Sequence, residues 1–161
     1  MRLRNILVLF IGITMLFSAC SNKVTDSGDE SLVRKSEYGE LPNKLYDQQT
    51  KIEVTTDKIE YSTEVNELIF KIENTGTTAF GFGVPLYIEK LINGNWYQIP
   101  YRENLAFADI ALGIVANSDY VQSVPLEHLD YQLIEGKYRI IKVFNVNGGK
   151  FVLGAEFEIK D

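Results

Sequence analysis

The sequence predicts an all-β domain, an antiparallel β-sandwich of about seven strands over residues 51–161. Short runs alternate apolar and polar residues, which is the two-residue period of half-buried strands and not the longer period of helices. Turn-forming asparagine and glycine residues recur between these runs. Two packed sheets are therefore the expected architecture.

The strands differ in how clearly the sequence marks them. The segments KIEV, ELIFKIE and FVLGAEFEI each place their apolar residues on one face. The segment LYIEKLINGNWYQIP predicts a hairpin, because Asn93 and Gly94 both tolerate the positive φ of a tight turn. Trp96 is then expected to be the large core residue of the hairpin. The segment NLAFADIALGIV predicts a short helix or an irregular crossover.

The strand KYRIIKVF carries two further expectations. Tyr138 follows LIEG and is expected to form a tyrosine corner, in which its hydroxyl bonds to backbone upstream. Lys142 shares the nominal face of Tyr138 and Ile140. A charged residue on that face predicts either a β-bulge that shifts the register or an exposed strand end.

The first 19 residues predict a lipoprotein signal peptide. Arg2 and Arg4 precede the apolar run ILVLFIGITMLF, which is too short to span a bilayer. The residues FSAC resemble the lipobox of bacterial lipoproteins, although Phe17 stands where leucine is usual. The resemblance implies cleavage between Ala19 and Cys20 and lipidation of the Cys20 thiol, with anchoring at the extracytoplasmic face of the cell membrane. The alternative is an ordinary secretory signal followed by a chance cysteine.

Residues 20–50 are expected to be a lipidated N-terminus and a flexible linker. The segment is polar, mixed in charge and nearly free of periodic apolar positions. A flexible chain of this length spans roughly 30 Å root-mean-square, enough to hold a small domain clear of the headgroups. Four apolar residues leave docking on the domain open: Leu32, Val33, Leu41 and Leu45.

The motifs in the predicted domain resemble those of a bacterial family. After Asn74 come FG, YIEK, GNW, IP and GKYR, in an order and spacing that cover nearly all of residues 51–161. They resemble bacterial immunoglobulin-like domains of secreted proteins and lipoproteins, chiefly from Gram-positive bacteria. The resemblance implies an immunoglobulin-like fold and an extracytoplasmic setting, and it implies no catalytic residues.

The sequence offers no recognisable catalytic or metal-binding motif. His128 is the only histidine and Cys20 the only cysteine, so a zinc site of ordinary composition is excluded. The GxSxG and phosphate-binding loop motifs are missing. Glu127 and Asp130 lack the dense acidic spacing of a calcium loop. We expect no enzyme, no metal and no cofactor.

Composition limits the partners. Hydrophobic residues make up 45% and charged residues 24% of the chain, as in folded proteins, and the formal net charge is -6. Phosphate backbones repel an acidic surface. We therefore expect no nucleic-acid partner.

The stretch AFGFGVPLYI suggests an interaction patch. Glycines between aromatic residues permit exposed rings, and aromatic clusters serve as interface anchors. The candidate patch comprises Phe80, Phe82, Tyr97 and Tyr101. The alternative is that Phe82 is a core residue and that its glycines merely permit a bend.

Three functions remain open. The leading one is a membrane-anchored extracytoplasmic lipoprotein with a non-catalytic binding module, whose partner is an unknown protein or cell-wall component. The second is a protease inhibitor acting through an exposed loop, either FGVP or residues 101–114. The third is a ligand-binding lipoprotein, which requires a pocket of roughly 300 Å³ or more.

Overall fold

The computed structural model describes residues 28–161. It contains eleven strands: β1 Lys44–Asp47, β2 Thr50–Thr56, β3 Glu60–Ser62, β4 Glu67–Asn74, β5 Phe80–Gly83, β6 Tyr87–Ile92, β7 Asn95–Gln98, β8 Ala111–Ile114, β9 Ser118–Pro125, β10 Gly136–Val146 and β11 Gly149–Lys160. Two short 3-10 helices lie at Asp29–Ser31 and Leu126–His128. No helix in this part of the chain is long and apolar enough to cross a membrane. The prediction of an all-β sandwich is confirmed, with more strands than expected.

The strands form two sheets. The smaller sheet has the order β1-β2-β4-β9. In the larger sheet β3, β11 and β10 lie side by side. On the other side of β10 the sheet continues as two separate strand pairs, each along one half of β10. One end of β10 pairs with β6, which is followed by β7, and the other end pairs with β5, which is followed by β8. Only the pairing of β3 with β11 is parallel among the described strands.

The predicted period of two places the core between the sheets. Ile52 and Val54 on β2 and Phe70 on β4 are fully buried. On β11 the same period holds from Leu153 to Ile159, whereas Phe151 near the hairpin end stays partly exposed. Phe80 and Phe82 meet Phe144 edge to face within the larger sheet, and Phe82 meets Tyr120 of the smaller sheet edge to face across the core.

The predicted hairpin is formed by β6 and β7. Asn93 and Gly94 have φ angles of 49° and 77°, the positive values that a tight hairpin turn needs. The segment NLAFADIALGIV is not helical: residues 105–110 are irregular and Ala111–Ile114 form β8. The irregular crossover was therefore the better of the two expectations.

The ordered domain begins well before residue 51, so the predicted linker over residues 20–50 extends too far. We call residues 28–43 the strap. Strand β1 follows the strap and pairs with β2 in the smaller sheet. The strap itself contributes Leu32, which is 5% exposed, to the core. The strap is hydrogen-bonded to the sheets mostly through backbone groups. Such bonds require no periodic apolar pattern, so the sequence carries no strand signal there.

Both expectations for Lys142 were wrong. The register of β10 with β11 runs unbroken from Gly136 opposite Ile159 to Val146 opposite Gly149, so no bulge intervenes. Lys142 is only 1% exposed. Its side chain lies between the sheets, with Nζ 5.2 Å from the centre of the Phe82 ring.

The buried Lys142 ammonium is bound at the junction between β5 and β6. The segment that connects β5 to β6 is not paired with β10, and the carbonyl of Val84 in this segment points towards the interior. Lys142 Nζ donates to Val84 O at 2.9 Å and to Gln122 Oε1 on β9 at 3.0 Å. Gln122 Nε2 also donates to Val84 O, at 3.1 Å. Lys142 therefore ties the strand break to the opposite sheet.

Burial lowers the pKa of Lys142 to about 8 from the 10.5 of a free lysine. Between these two values the unfolded chain holds a proton that the folded chain has released. Stability therefore rises with pH across this window, and below pH 8 the charged lysine carries its full penalty. The gap between the two pKa values corresponds to about 3 kcal/mol.

We expect Lys142→Met to differ from the natural chain in a pH-dependent way. The difference in unfolding free energy between the two should change by about 2–3 kcal/mol between pH 7 and pH 10, because only the natural chain gains stability as Lys142 loses its proton. Urea denaturation at both pH values measures it. Lys150→Met, at an exposed position, is the control. An equal difference at both pH values for Lys142→Met would contradict the assignment.

Candidate functional site

The predicted aromatic patch is not formed. Phe80 is 4% and Phe82 is 1% exposed, and both rings lie against Phe144 in the core. In the strand FGFG the side chains alternate, so the phenylalanines face inward while Gly81 and Gly83 face outward. The alternative, a core role for Phe82, is the arrangement present in the structure.

The two tyrosines of the predicted patch are half-buried. Tyr97 packs against the core from β7. The Tyr101 hydroxyl donates to Leu86 O at 3.0 Å, and its ring meets Phe107 edge to face. Burial raises the pKa of Tyr101 above its usual range. Tyr101 therefore holds the loop that contains it against the sheet, Tyr97 packs from its strand, and neither forms an exposed anchor.

Tyr138 has the contacts of a tyrosine corner. Its hydroxyl donates to Ile134 O at 2.5 Å and accepts from Ile134 N at 3.2 Å. Its ring stacks on Phe157. Burial raises the pKa of Tyr138 to about 12, so the hydroxyl remains a donor at neutral pH. The residue fixes the entry of the chain into β10.

Trp96 is buried, but outside the core between the sheets. It is 4% exposed and lies on the outer face of the larger sheet, beneath the strap. Its ring centre is 4.2 Å from Arg139 Cζ, close enough for a cation–π contact. Trp96 Nε1 is buried and lacks a hydrogen-bond partner among the described residues. The sequence predicted that Trp96 is the large buried residue of the hairpin. It did not predict that the side chain lies on the outer face of the larger sheet.

The strap is bound to this outer face through its backbone. It first runs beside β7, where Ser36 N donates to Trp96 O and Gln98 N donates to Arg34 O, both at 2.8 Å. It then crosses to β11, where Gly154 N donates to Pro42 O at 3.0 Å. The strap thus covers one half of the larger sheet from edge to edge.

Arg139 holds the middle of the strap. Its Nη1 donates to Gly39 O at 2.6 Å, and its Nη2 donates to Tyr38 O at 3.2 Å and to Ser36 Oγ at 3.3 Å. The remaining Nε donates to Glu89 Oε2 at 2.8 Å. The guanidinium is therefore bonded on all three nitrogens.

Arg139 and Glu89 form an ion pair that is almost fully dehydrated. Their side chains are 1% and 4% exposed, and they face each other on neighbouring strands. A buried pair of this kind is costly unless further hydrogen bonds satisfy it, and the strap supplies those bonds. The arrangement is a structural clamp.

A second clamp holds the beginning of the strap. Lys90 Nζ, on a side chain that is 3% exposed, donates to Asp29 Oδ1 at 2.5 Å and to the Tyr131 hydroxyl at 3.3 Å. The Tyr131 hydroxyl in turn donates to Asp29 Oδ1 at 3.1 Å. Burial raises the pKa of Tyr131 above its usual range. The cluster thus joins the strap to the end of the sandwich.

Sequence reasoning missed both clamps. The available signal was Arg139 itself, a charged residue in a strand whose neighbours are apolar on both faces. Cys20 and Ala19, the predicted lipidation and cleavage residues, lie outside the described residues. Within residues 28–161 no group of three or more histidine, cysteine or acidic side chains is arranged to hold a metal ion.

We expect Arg139→Met to destabilise the fold by about 3–5 kcal/mol, because it leaves Glu89 buried without a counter-ion. The amides of Ser36 and Gln98 should lose protection from hydrogen exchange at the same time. Replacing both partners, Arg139→Met with Glu89→Leu, should recover part of the stability.

Lys137→Met is the matched control for Arg139→Met. Lys137 lies on the same strand and pairs with Glu156 in a largely exposed ion pair, so its loss should cost under about 1 kcal/mol. Equal losses for Lys137→Met and Arg139→Met in chemical denaturation would refute the clamp.

Three of the solved structures that resemble this chain are remote likenesses. A β-glucosidase of Erythrobacter marinus aligns with 69% of this chain at 14% identity and a TM-score of 0.39. The alkylpurine DNA glycosylase AlkC of Pseudomonas fluorescens aligns with 70% at 17% identity and a TM-score of 0.38. The PapD-like domain 7 of human CEP192 aligns with 80% at 12% identity and a TM-score of 0.34.

The aligned regions span 16% of the glucosidase, 31% of the glycosylase and 99% of the CEP192 domain. None of the curated proteins matches the chain. The bacterial Ig-like domain family, in contrast, matches residues 48–158. The chain belongs to this bacterial Ig-like domain family.

Proposed function

We propose that this protein is a membrane-anchored extracytoplasmic lipoprotein whose Ig-like domain is a non-catalytic interaction module. Membership of the family supports the interaction module. The FSAC motif supports the anchor, with Cys20 as the lipidated residue. The partner is a protein or cell-wall component outside the cell.

The binding of the strap to the domain is the observation that most restricts how the anchored domain can be positioned. Because the strap is bound from Asp29 onward, the free length between anchor and domain is not the whole of residues 20–50. From Cys20 to Gly28 the chain spans at most about 29 Å when fully extended. The end of the domain that carries Asp29 is then held within about 29 Å of the membrane.

The alternative of a protease inhibitor requires a protruding loop. The segment FGVP does not protrude: Gly83 pairs with Ala111, and Val84 O accepts from Lys142 and Gln122. The observations at FGVP therefore count against this loop, whereas residues 101–114 are exposed over most of their length and stay the candidate loop for inhibition.

We expect Cys20→Ala to abolish incorporation of labelled fatty acid and to release the protein from the membrane or leave it there unprocessed. The thiol is the group that accepts the lipid, so its removal leaves no acceptor. Metabolic labelling and cell fractionation measure the outcome. Ser21→Ala is the control, and a Cys20→Ala protein that still takes up label would rule out the anchor.

Because the chain between the anchor and the domain is short, we expect capture of a partner to depend on how close the domain is held to the membrane. In crosslinking on intact cells, the natural chain should capture a partner that a variant with a long glycine–serine insertion after Ser21 captures less well, because the insertion dilutes the domain near the membrane. A secreted form without the anchor should capture least. Equal capture by all three forms would refute a role for the reach.

A further inference from the structure

An open groove lies at the end of the sandwich where the strap begins. It has a volume of about 900 Å³ and runs between the β3–β4 connection and the segment that follows β9. Tyr131 lines it, and the hydroxyl of Tyr131 is 3.1 Å from Asp29 Oδ1. The groove is therefore at the end of the domain that carries Asp29.

The floor of the groove is apolar. Leu129 and Leu133 line it and are almost fully buried, and they reach it from the core between the sheets. Val65 and Leu126 line it as well and pack against the same core. Val65 and Leu126 are partly exposed, so a bound side chain that covers them would exchange water for apolar contact, which favours association.

The rim of the groove is acidic and its carboxylates are uncompensated. Glu64, Glu127 and Asp130 are exposed, and none of the three forms an ion pair within residues 28–161. Glu67 adds a fourth carboxylate. Arg102 is the single cationic residue in the lining, and its Nε is bonded to Leu129 O at 3.2 Å.

We propose that this groove binds a basic peptide segment of a partner protein, with apolar side chains against Val65 and Leu126 and lysine or arginine side chains on the carboxylates of the rim. The charge of the rim selects a cationic partner, because complementary charges steer and orient association. The open shape suits an extended chain better than an enclosed small molecule. The position next to the anchor rests on the proposed function, whereas the chemistry of the groove does not.

The test measures binding of a short fluorescein-labelled peptide that alternates lysine and leucine to the full chain in detergent, by fluorescence anisotropy at low salt. Two comparison peptides replace lysine by glutamate or leucine by glycine. The natural chain should bind the first peptide saturably and the others much more weakly. Neutralising the rim with Glu64→Gln, Glu127→Gln and Asp130→Asn should weaken binding about tenfold.

A matched variant carries the same change of net charge far from the groove. Asp47→Asn, Glu73→Gln and Asp119→Asn alter exposed positions on the smaller sheet and should leave affinity within about twofold. Equal weakening by both triple variants, binding that ignores the leucines, or no saturable binding would each overturn the proposal. None of these results depends on whether Cys20 is lipidated, so the anchor proposal stands or falls separately.

Discussion

The buried ion pair of Arg139 and Glu89 is the constraint on which the outer face of the domain depends. Two opposite charges removed from water are stable only when their remaining donors and acceptors are bonded. The backbone of β10, which carries Arg139, is already paired with β11 and β6. The strap supplies the remaining bonds through Gly39 O, Tyr38 O and Ser36 Oγ. It is therefore part of the fold, although the family match begins only at residue 48.

The same logic recurs at the other buried cations. Lys90 pairs with Asp29 of the strap, and Lys142 satisfies the carbonyl of Val84 where β5 gives way to β6. Each contact joins segments that the strand pairing alone leaves unconnected. Because Cys20 is the only cysteine, the chain cannot form an internal disulfide. These polar contacts supplement the core in holding the strap, the strand break and the second sheet together.

Local patterns predicted the elements that obey local rules. The alternation in ELIFKIE predicted which residues of β4 face the core, and the Asn93-Gly94 pair predicted the hairpin turn, since both depend on neighbouring residues only. The direction of Phe80 and Phe82 was ambiguous, because glycines on either side allow exposed or buried rings. The sequence left docking of the strap open and did not decide it, because most of its bonds to the sheets are backbone hydrogen bonds, which any residue can form.

The sequence by itself determined the all-β sandwich, the inward-facing residues of the clearly alternating strands β2, β4 and most of β11, and the resemblance to bacterial immunoglobulin-like domains. Only the tertiary structure decided what Arg139 and Lys142 do, and where the ordered domain begins. The physical reason is separation along the chain. Arg139 bonds to groups 100 to 103 residues away, and Lys142 to one 58 residues away. Such partners share no local pattern, and they meet only once both sheets and the strap are in place.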